Sequence, residues 1–208
     1  MIILIGLPGS GKSTVGRQLA RKLSASFMDS DHLIEQRLGC SIREYFEREG
    51  EAAFRDVEEA VFADLLATHS HNELGAGRAL TERDVKQGSP SVACLVLATG
   101  GGSVIRQANR TRLRSAGHVV YLRSSPEDLY KRLRHDRNRP LLQGADPMQR
   151  LSDLYAQRDP LYREVAHFQV ETGRPSVATL VNMIALQLEI PSAPGLSAVD
   201  TQGLDGLS

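Results

Sequence analysis

No sign of charge prevails in this chain: 25 Lys and Arg stand against 25 Asp and Glu over 208 residues. A net charge of zero raises no long-range field toward nucleic acid or an anionic membrane, so neither is expected as a partner. Cysteine is nearly missing, with only Cys40 and Cys94. Two thiols without metal spacing exclude a disulfide framework. They read as buried cysteines of a reducing compartment, hence a cytoplasmic protein. Long apolar runs are missing as well. The opening stretch Met1–Ile5 is too short for a signal peptide or a membrane span. Lysine is scarce, at four of the 25 cations, and arginine supplies the rest. Arg grips carboxylates and phosphates in a bidentate fork, which suits an anionic ligand, although most surface arginines need no functional reading. The length fits one α/β domain with room for a small inserted subdomain.

What is present begins with Gly6-Leu7-Pro8-Gly9-Ser10-Gly11-Lys12-Ser13-Thr14, which has the form G-x-x-x-x-G-K-[ST]. A strand-like run precedes it, and Val15 to Leu23 has a helical pattern. Glycines let successive backbone N–H groups curl around a phosphate, and the helix N-terminus adds its positive dipole end. Gly9, Ser10, Gly11, Lys12, Ser13 and Thr14 are therefore candidates for nucleoside triphosphate binding. Lys12 can reach the β- and γ-phosphates, and the Ser13 hydroxyl can ligate Mg²⁺.

Along the rest of the chain, strand signals alternate with helical ones. They predict a three-layer α/β/α fold around a five-stranded parallel sheet. Phe27–Asp29, Val92–Ala98, His118–Leu122 and Phe168–Glu171 read as the later strands. Ser41-Ile42-Arg43-Glu44 is a capping box that should start a helix, stopped by Gly50. Helical spacing recurs over 51–67, and Ser125-Pro126 should cap a helix reaching about Arg134. Further helices are expected from Met148 to about Arg158 and from Ser176 to Leu188. Residues 68–91 lack a period and read as a loop; His69 and His71 have no further ligands nearby and are not read as a metal site. Residues 134–147, rich in Arg, Pro and Gly, read as a mobile loop, and residues 191–208 as a disordered tail.

Several constellations carry possible chemistry. Asp29-Ser30-Asp31 stands at the C-terminal end of the second strand, where open α/β sheets place ligands. One acid can serve the Mg²⁺ shell and the other an acceptor hydroxyl; the plainer alternative is that Asp31 caps a helix over 32–38. Arg55 and Glu58, at i and i+3, share a helix face. They could form a surface salt bridge, or Glu58 could fix Arg55 for a substrate carboxylate. Thr99-Gly100-Gly101-Gly102 follows a buried strand, and three glycines suggest close approach of a ligand to bare backbone N–H groups. Arg132, Arg134, Arg137 and Arg139 surround Arg139-Pro140-Leu141-Leu142, as a closing lid or a solvated basic loop would. Arg158-Asp159-Pro160-Leu161-Tyr162 closes a helix with another Arg.

Strand-GLPGSGKST, DSD, FRxxE, TGGG, RPLL and RDPLYRE, in this order over residues 2–188, resemble the shikimate kinase family of P-loop, nucleoside-monophosphate-kinase-like proteins. The resemblance implies one domain over 1–190, with an acceptor subdomain at about 31–60, a surface insertion at about 68–91 and a lid at about 134–147. It implies phosphorylation of the 3-hydroxyl of shikimate by ATP with Mg²⁺, a step toward chorismate and the aromatic amino acids. By the same resemblance, residues 9–14, Arg132, Arg139 and Arg174 bind ATP, with Arg132 stacked on the adenine. Ser13 and Asp29 serve the metal, and Asp31, Arg55, Gly101 and Arg158 bind shikimate. Lys12, Asp31 and Arg139 carry the chemistry. The expected partners are shikimate and ATP, and the expected state is a monomer. Rival readings are another small-metabolite kinase of this fold, for gluconate or a nucleoside monophosphate, or a non-catalytic ATP-binding regulator.

Overall fold

The computed structural model of the protein describes residues 1–74, 94–134 and 146–189. Strands β1 (Ile2–Ile5), β2 (Ser26–Asp29), β3 (Leu95–Ala98), β4 (His118–Arg123) and β5 (Phe168–Glu171) form one parallel sheet in the order β2-β3-β1-β4-β5. β1 lies at its centre, between β3 and β4, and all four of its residues are buried. Such unbroken apolar runs are what a parallel strand covered on both faces requires.

The covering layers follow from the alternation of side chains along the strands. Ile2, Leu4, Val96 and Val120 point to one face, packed by Val15 and Leu19 of α1 (Lys12–Lys22) and by Leu180 and Ile184 of α7 (Val177–Glu189). Ile3, Ile5, Leu97, Val119 and Tyr121 point to the other. There they meet Phe62 of α3 (Ile42–Leu74), Leu113 of α4 (Gln107–Ala116), Leu129 of α5 (Pro126–Leu133) and Tyr162 of α6 (Pro147–Val165). A satellite cluster of Ile34, Phe54 and Val61 joins α2 (Ser30–Leu38) to α3.

Several boundaries follow the sequence-level signals. The Ser41 hydroxyl accepts from the Glu44 amide at 3.2 Å at the start of α3, and Gly50 breaks that helix with a φ of 81°. Ser125 caps α5 by accepting from the Asp128 amide at 3.1 Å, with Pro126 in the first turn. Elsewhere the structure corrects the reading. Residues 68–74, expected to open a loop, instead continue α3 to Leu74; adding residues to a formed helix costs far less than starting one. α6 does not end near Arg158 but runs through Pro160 to Val165, since Tyr162 and Val165 are buried in the core and hold the helix across the proline. The two cysteines are free thiols but only half-buried. Val92 and Ala93, residues 75–91 of the expected loop, positions 135–145 of the expected lid and the expected tail at 191–208 lie outside the described residues.

α4 has no counterpart in the sequence reading. Leu113 is its one large apolar residue, so it shows little periodicity. Polar ties hold it instead. Arg106, at its N-cap, bonds Asp56 at 2.6 Å and Glu59 at 3.0 Å, while Arg112 reaches Glu59 at 3.1 Å. Arg110 reaches Glu164 at 3.1 Å, and Arg114 donates to the Glu164 carbonyl at 2.7 Å near the end of α6.

Phe62 is fully buried between the sheet and α3. Phe62→Ala is expected to cost about 3–5 kcal/mol. The measurement is a lower urea midpoint with an unchanged slope; an unaltered midpoint would remove Phe62 from the core.

Candidate active site

The strand order sets where a ligand can sit. From β1 the chain crosses by α1 toward β2 on one side, and from β3 it crosses by α4 toward β4 on the other. The connections therefore diverge between β1 and β3, and the crevice at the C-terminal ends of these strands is the expected binding place. A cleft of about 420 Å³ lies there, lined by Gly9, Lys12, Ser13, Asp29, Asp31, Gly101 and Arg132 among others.

The loop after β1 opens this cleft with backbone rather than side chains. Gly9 and Gly11 take φ values of 84° and 93°, which side chains disfavour. Gly11 is the N-cap of α1, gives it no side-chain cap, and the first turn carries no acid. The positive end of α1 is thus left for an external anion. Lys12 is buried, and its ammonium donates to the carbonyls of Gly6 at 2.8 Å and Leu7 at 2.9 Å. Ser10 is buried away from the lining, whereas Thr14 borders the cleft.

The two acids at the end of β2 divide their tasks differently from the capping alternative. Asp29, not Asp31, is the N-cap of α2, accepting from the Asp31 amide at 3.2 Å. Its other oxygen accepts from the Ser13 hydroxyl at 2.6 Å. Capping by Asp29 releases the Asp31 carboxyl into the cleft. Burial pushes the Asp31 carboxyl above its ordinary range and the Asp29 carboxylate adds to the effect, against the pull of Lys12 and Arg55.

Arg55 and Glu58 do not form a surface pair. Their side chains are only 10% and 2% exposed, and the guanidinium donates to Glu58 at 2.8 Å and to Glu51 at 2.9 Å. The Phe54 ring lies 5.2 Å from the guanidinium carbon. Burial pushes the Glu58 carboxyl up, while the charge and hydrogen bond of Arg55 work to keep it ionised. A buried guanidinium tied through Nε and one terminal nitrogen to Glu51, and through the other terminal nitrogen to Glu58, is fixed in direction, at a desolvation cost that an isolated pair seldom recovers.

The glycine turn after β3 joins these groups, though not in the way its sequence suggested. A side chain on Gly100 would collide with Asp31, one on Gly101 with Pro8, and one on Gly102 with Arg55. The close approach is therefore made by the protein's own side chains. The Gly100 amide donates to the buried Ser30 hydroxyl at 2.9 Å, locking the start of α2 to the turn. The Gly101 carbonyl accepts from Arg158 at 2.9 Å and from the Tyr162 hydroxyl at 2.5 Å. Arg132 donates to the carbonyl and hydroxyl of Thr172 and lies within 3.5 Å of the Ser124 hydroxyl.

Lys12, Ser13, Asp29, Asp31, Gly101 and Arg132 thus border one cleft, with Arg55 and Arg158 adjoining it through Gly102 and Gly101. Arg174 is exposed in the turn after β5 and is not in the lining; Arg139 lies outside the described residues. Ser30 and Tyr162 escaped the sequence reading. For Tyr162 a signal existed, since i+4 from Arg158 puts both on one helix face. A second cleft of about 390 Å³, between α4 and the end of α6, holds none of the predicted site residues.

Comparison with known proteins agrees with this geometry. The family model described as shikimate kinase matches residues 8–92 and 78–189. The chain belongs to this family. It is 55% identical to the shikimate kinase of Paracidovorax citrulli over 91% of this chain and 92% of that one. The shikimate kinase of Ralstonia nicotianae is 49% identical, over 91% and 87%. Among solved structures, shikimate kinase from Acinetobacter baumannii in complex with shikimate aligns with a TM-score of 0.74 at 41% identity, covering 90% of this chain and 91% of that one. The fold is the shikimate kinase fold.

The raised carboxyl of Asp31 sets a pH dependence. The folded state holds this proton more tightly than the unfolded chain, so the ionised carboxylate destabilises the fold at neutral pH and the penalty fades in acid. Asp31→Asn is therefore expected to raise the Tm of the ligand-free protein at about pH 7.5, and to raise it less at about pH 4.5. A gain equal at both values, or a loss, would show that Asp31 is not held out of water.

Proposed function

We propose that the protein transfers the γ-phosphoryl of ATP to the 3-hydroxyl of shikimate. The observation that carries this reading is the convergence of Asp31, Arg55 and Arg158 on one glycine turn beside the phosphate loop. One acid and two guanidiniums suit a small polyhydroxylated carboxylate. Arg55 and Arg158 fork onto the carboxylate of shikimate, the Gly101 backbone borders the ring, and Asp31 orients the 3-hydroxyl and takes its proton. A carboxyl held above its usual range by burial is suited to accept that proton.

On the nucleotide side, residues 9–14 wrap the phosphates with backbone N–H groups, aided by the open end of α1. Lys12 exchanges its two carbonyl partners for phosphate oxygens and stabilises charge on the transferring group. Arg132, held at Thr172, leaves a planar face for the adenine, and Arg174, exposed in the turn after β5, contacts the base. Arg139 completes the phosphate contacts from a lid at about 134–147. Residues 31–60 form the acceptor subdomain, and residues 68–91 a surface insertion.

Mg²⁺ fits the donors present: a serine hydroxyl and a carboxylate 2.6 Å apart are hard oxygen ligands. Among the described residues no three His, Cys, Asp or Glu gather into a metal cage. Ser13 would ligate the ion and Asp29 would hold its outer shell; when bound, it neutralises charge between the β- and γ-phosphates. The protein works as a cytoplasmic monomer. No helix among the described residues is long and apolar enough to cross a membrane, and both cysteines are free.

Arg55→Ala is expected to raise the KM for shikimate roughly 10- to 150-fold with the KM for ATP unchanged, as loss of a charge-assisted fork implies. Equal shikimate KM values in parent and variant would reduce Arg55 to a partner of its two glutamates. Chelation by EDTA is expected to stop turnover and added Mg²⁺ to restore it, with Ser13→Ala needing more Mg²⁺ for half-maximal rate. Turnover that survives chelation would exclude the metal role.

A further inference from the structure

α6 carries Arg158 at the place where that helix is weakest. Pro160 has no N–H, so the Ala156 carbonyl loses its helical partner, and the turn holding Arg158 and Asp159 is short of one bond. The backbone around Arg158 is therefore held by one bond fewer than in an uninterrupted helix. The neighbouring side chain supplies what is missing. The Asp159 carboxylate, 13% exposed, accepts from the Tyr121 hydroxyl of β4 at 2.9 Å and from Arg163 at 2.6 Å, with Arg123 of β4 at 3.5 Å. Burial opposes its ionisation, but hydrogen bonds from Arg163, Tyr121 and Tyr155 outweigh that and hold it below the usual carboxylate range.

The same tyrosine acts twice. The Tyr121 ring stacks on Tyr162, with centroids 4.9 Å apart. Tyr162 in turn donates to the Gly101 carbonyl that Arg158 also reaches. β4 thus grips α6 on both sides of Pro160, by a hydrogen bond at Asp159 and by ring stacking at Tyr162. Both grips set the rotation that points Arg158 at the glycine turn.

We infer that Asp159, tied to the Tyr121 hydroxyl, is a positioning residue that aims Arg158 at the acceptor substrate. The inference rests on the reading of Arg158 as a ligand of the shikimate carboxylate. A binding contact made equally in the ground and transition states appears in KM and not in kcat. Asp159→Ala is therefore expected to raise the KM for shikimate roughly five- to thirtyfold, with kcat and the KM for ATP within about twofold of the parent. Asp159→Asn keeps an acceptor for Tyr121 and should recover most of the loss, whereas Arg163→Ala should change nothing.

The decisive arm is non-additivity. In an Arg158→Ala background, Asp159→Ala should add no further loss of shikimate affinity, measured by calorimetric titration, because the residue it aims is gone. An undiminished effect in that background, or joint worsening of both KM values, would overturn the inference in favour of a general structural role. Should Asp159→Ala fail to fold, Tyr121→Phe removes the hydroxyl and keeps the ring. An unchanged shikimate KM in that variant would equally overturn it. A parent chain that does not phosphorylate shikimate would instead defeat the functional reading, so the two failures are distinguishable.

Discussion

The glycine turn at residues 100–102 is the contact on which the site depends. It is the one piece of backbone bare enough for Asp31, Pro8 and Arg55 to approach at once, each occupying the space a side chain would need. The phosphate loop, the end of β2 and the middle of α3 arrive there from three different parts of the chain. A single methyl group at Gly100 or Gly102 would press on the Asp31 carboxyl or the Arg55 guanidinium, so the cost would fall on the cleft before it fell on the core. The chain's own hydrogen bonds fix the turn: Ser30 holds the Gly100 amide, while Arg158 and Tyr162 hold the Gly101 carbonyl.

Around that turn the protein keeps charges where solvation would not put them. Asp31 and Glu58 are both pushed toward their neutral forms by burial, and Lys12 is turned onto backbone carbonyls. The buried carboxyls weaken the ligand-free fold, whereas a ligand that binds only the folded state strengthens it by mass action. The stability that tolerates them comes from the sheet, where β1 and β3 bury every residue, and from the two apolar layers against it.

Polar ties do structural work wherever apolar periodicity is thin. α4 is fixed to α3 through Glu59 and Asp56 and to α6 through Glu164, although it offers the core little more than Leu113. α6 is carried across Pro160 by Tyr121 and Asp159. The abundance of arginine over lysine acquires a reason here, since a planar fork can serve two partners at once, as Arg106 does with Asp56 and Glu59.

The sequence by itself determined the parallel sheet, the phosphate loop and the caps at Ser41 and Ser125. These depend on neighbours a few residues apart: strand runs, glycines at fixed spacing, and a hydroxyl reaching the third amide on. It also marked Asp31, Arg55, Gly101 and Arg158 as candidates, and the fold brings them to one glycine turn and the cleft beside it. Tertiary structure alone decided the rest. That Asp29 rather than Asp31 caps α2, that Arg55 and Glu58 are buried, and that the glycines yield space to side chains all turn on contacts between distant segments. α4 and the continuation of α6 past Pro160 were illegible for the same reason. α4 has almost no apolar period and Pro160 argues against a continuing helix, so only the partners brought up by the fold reveal them.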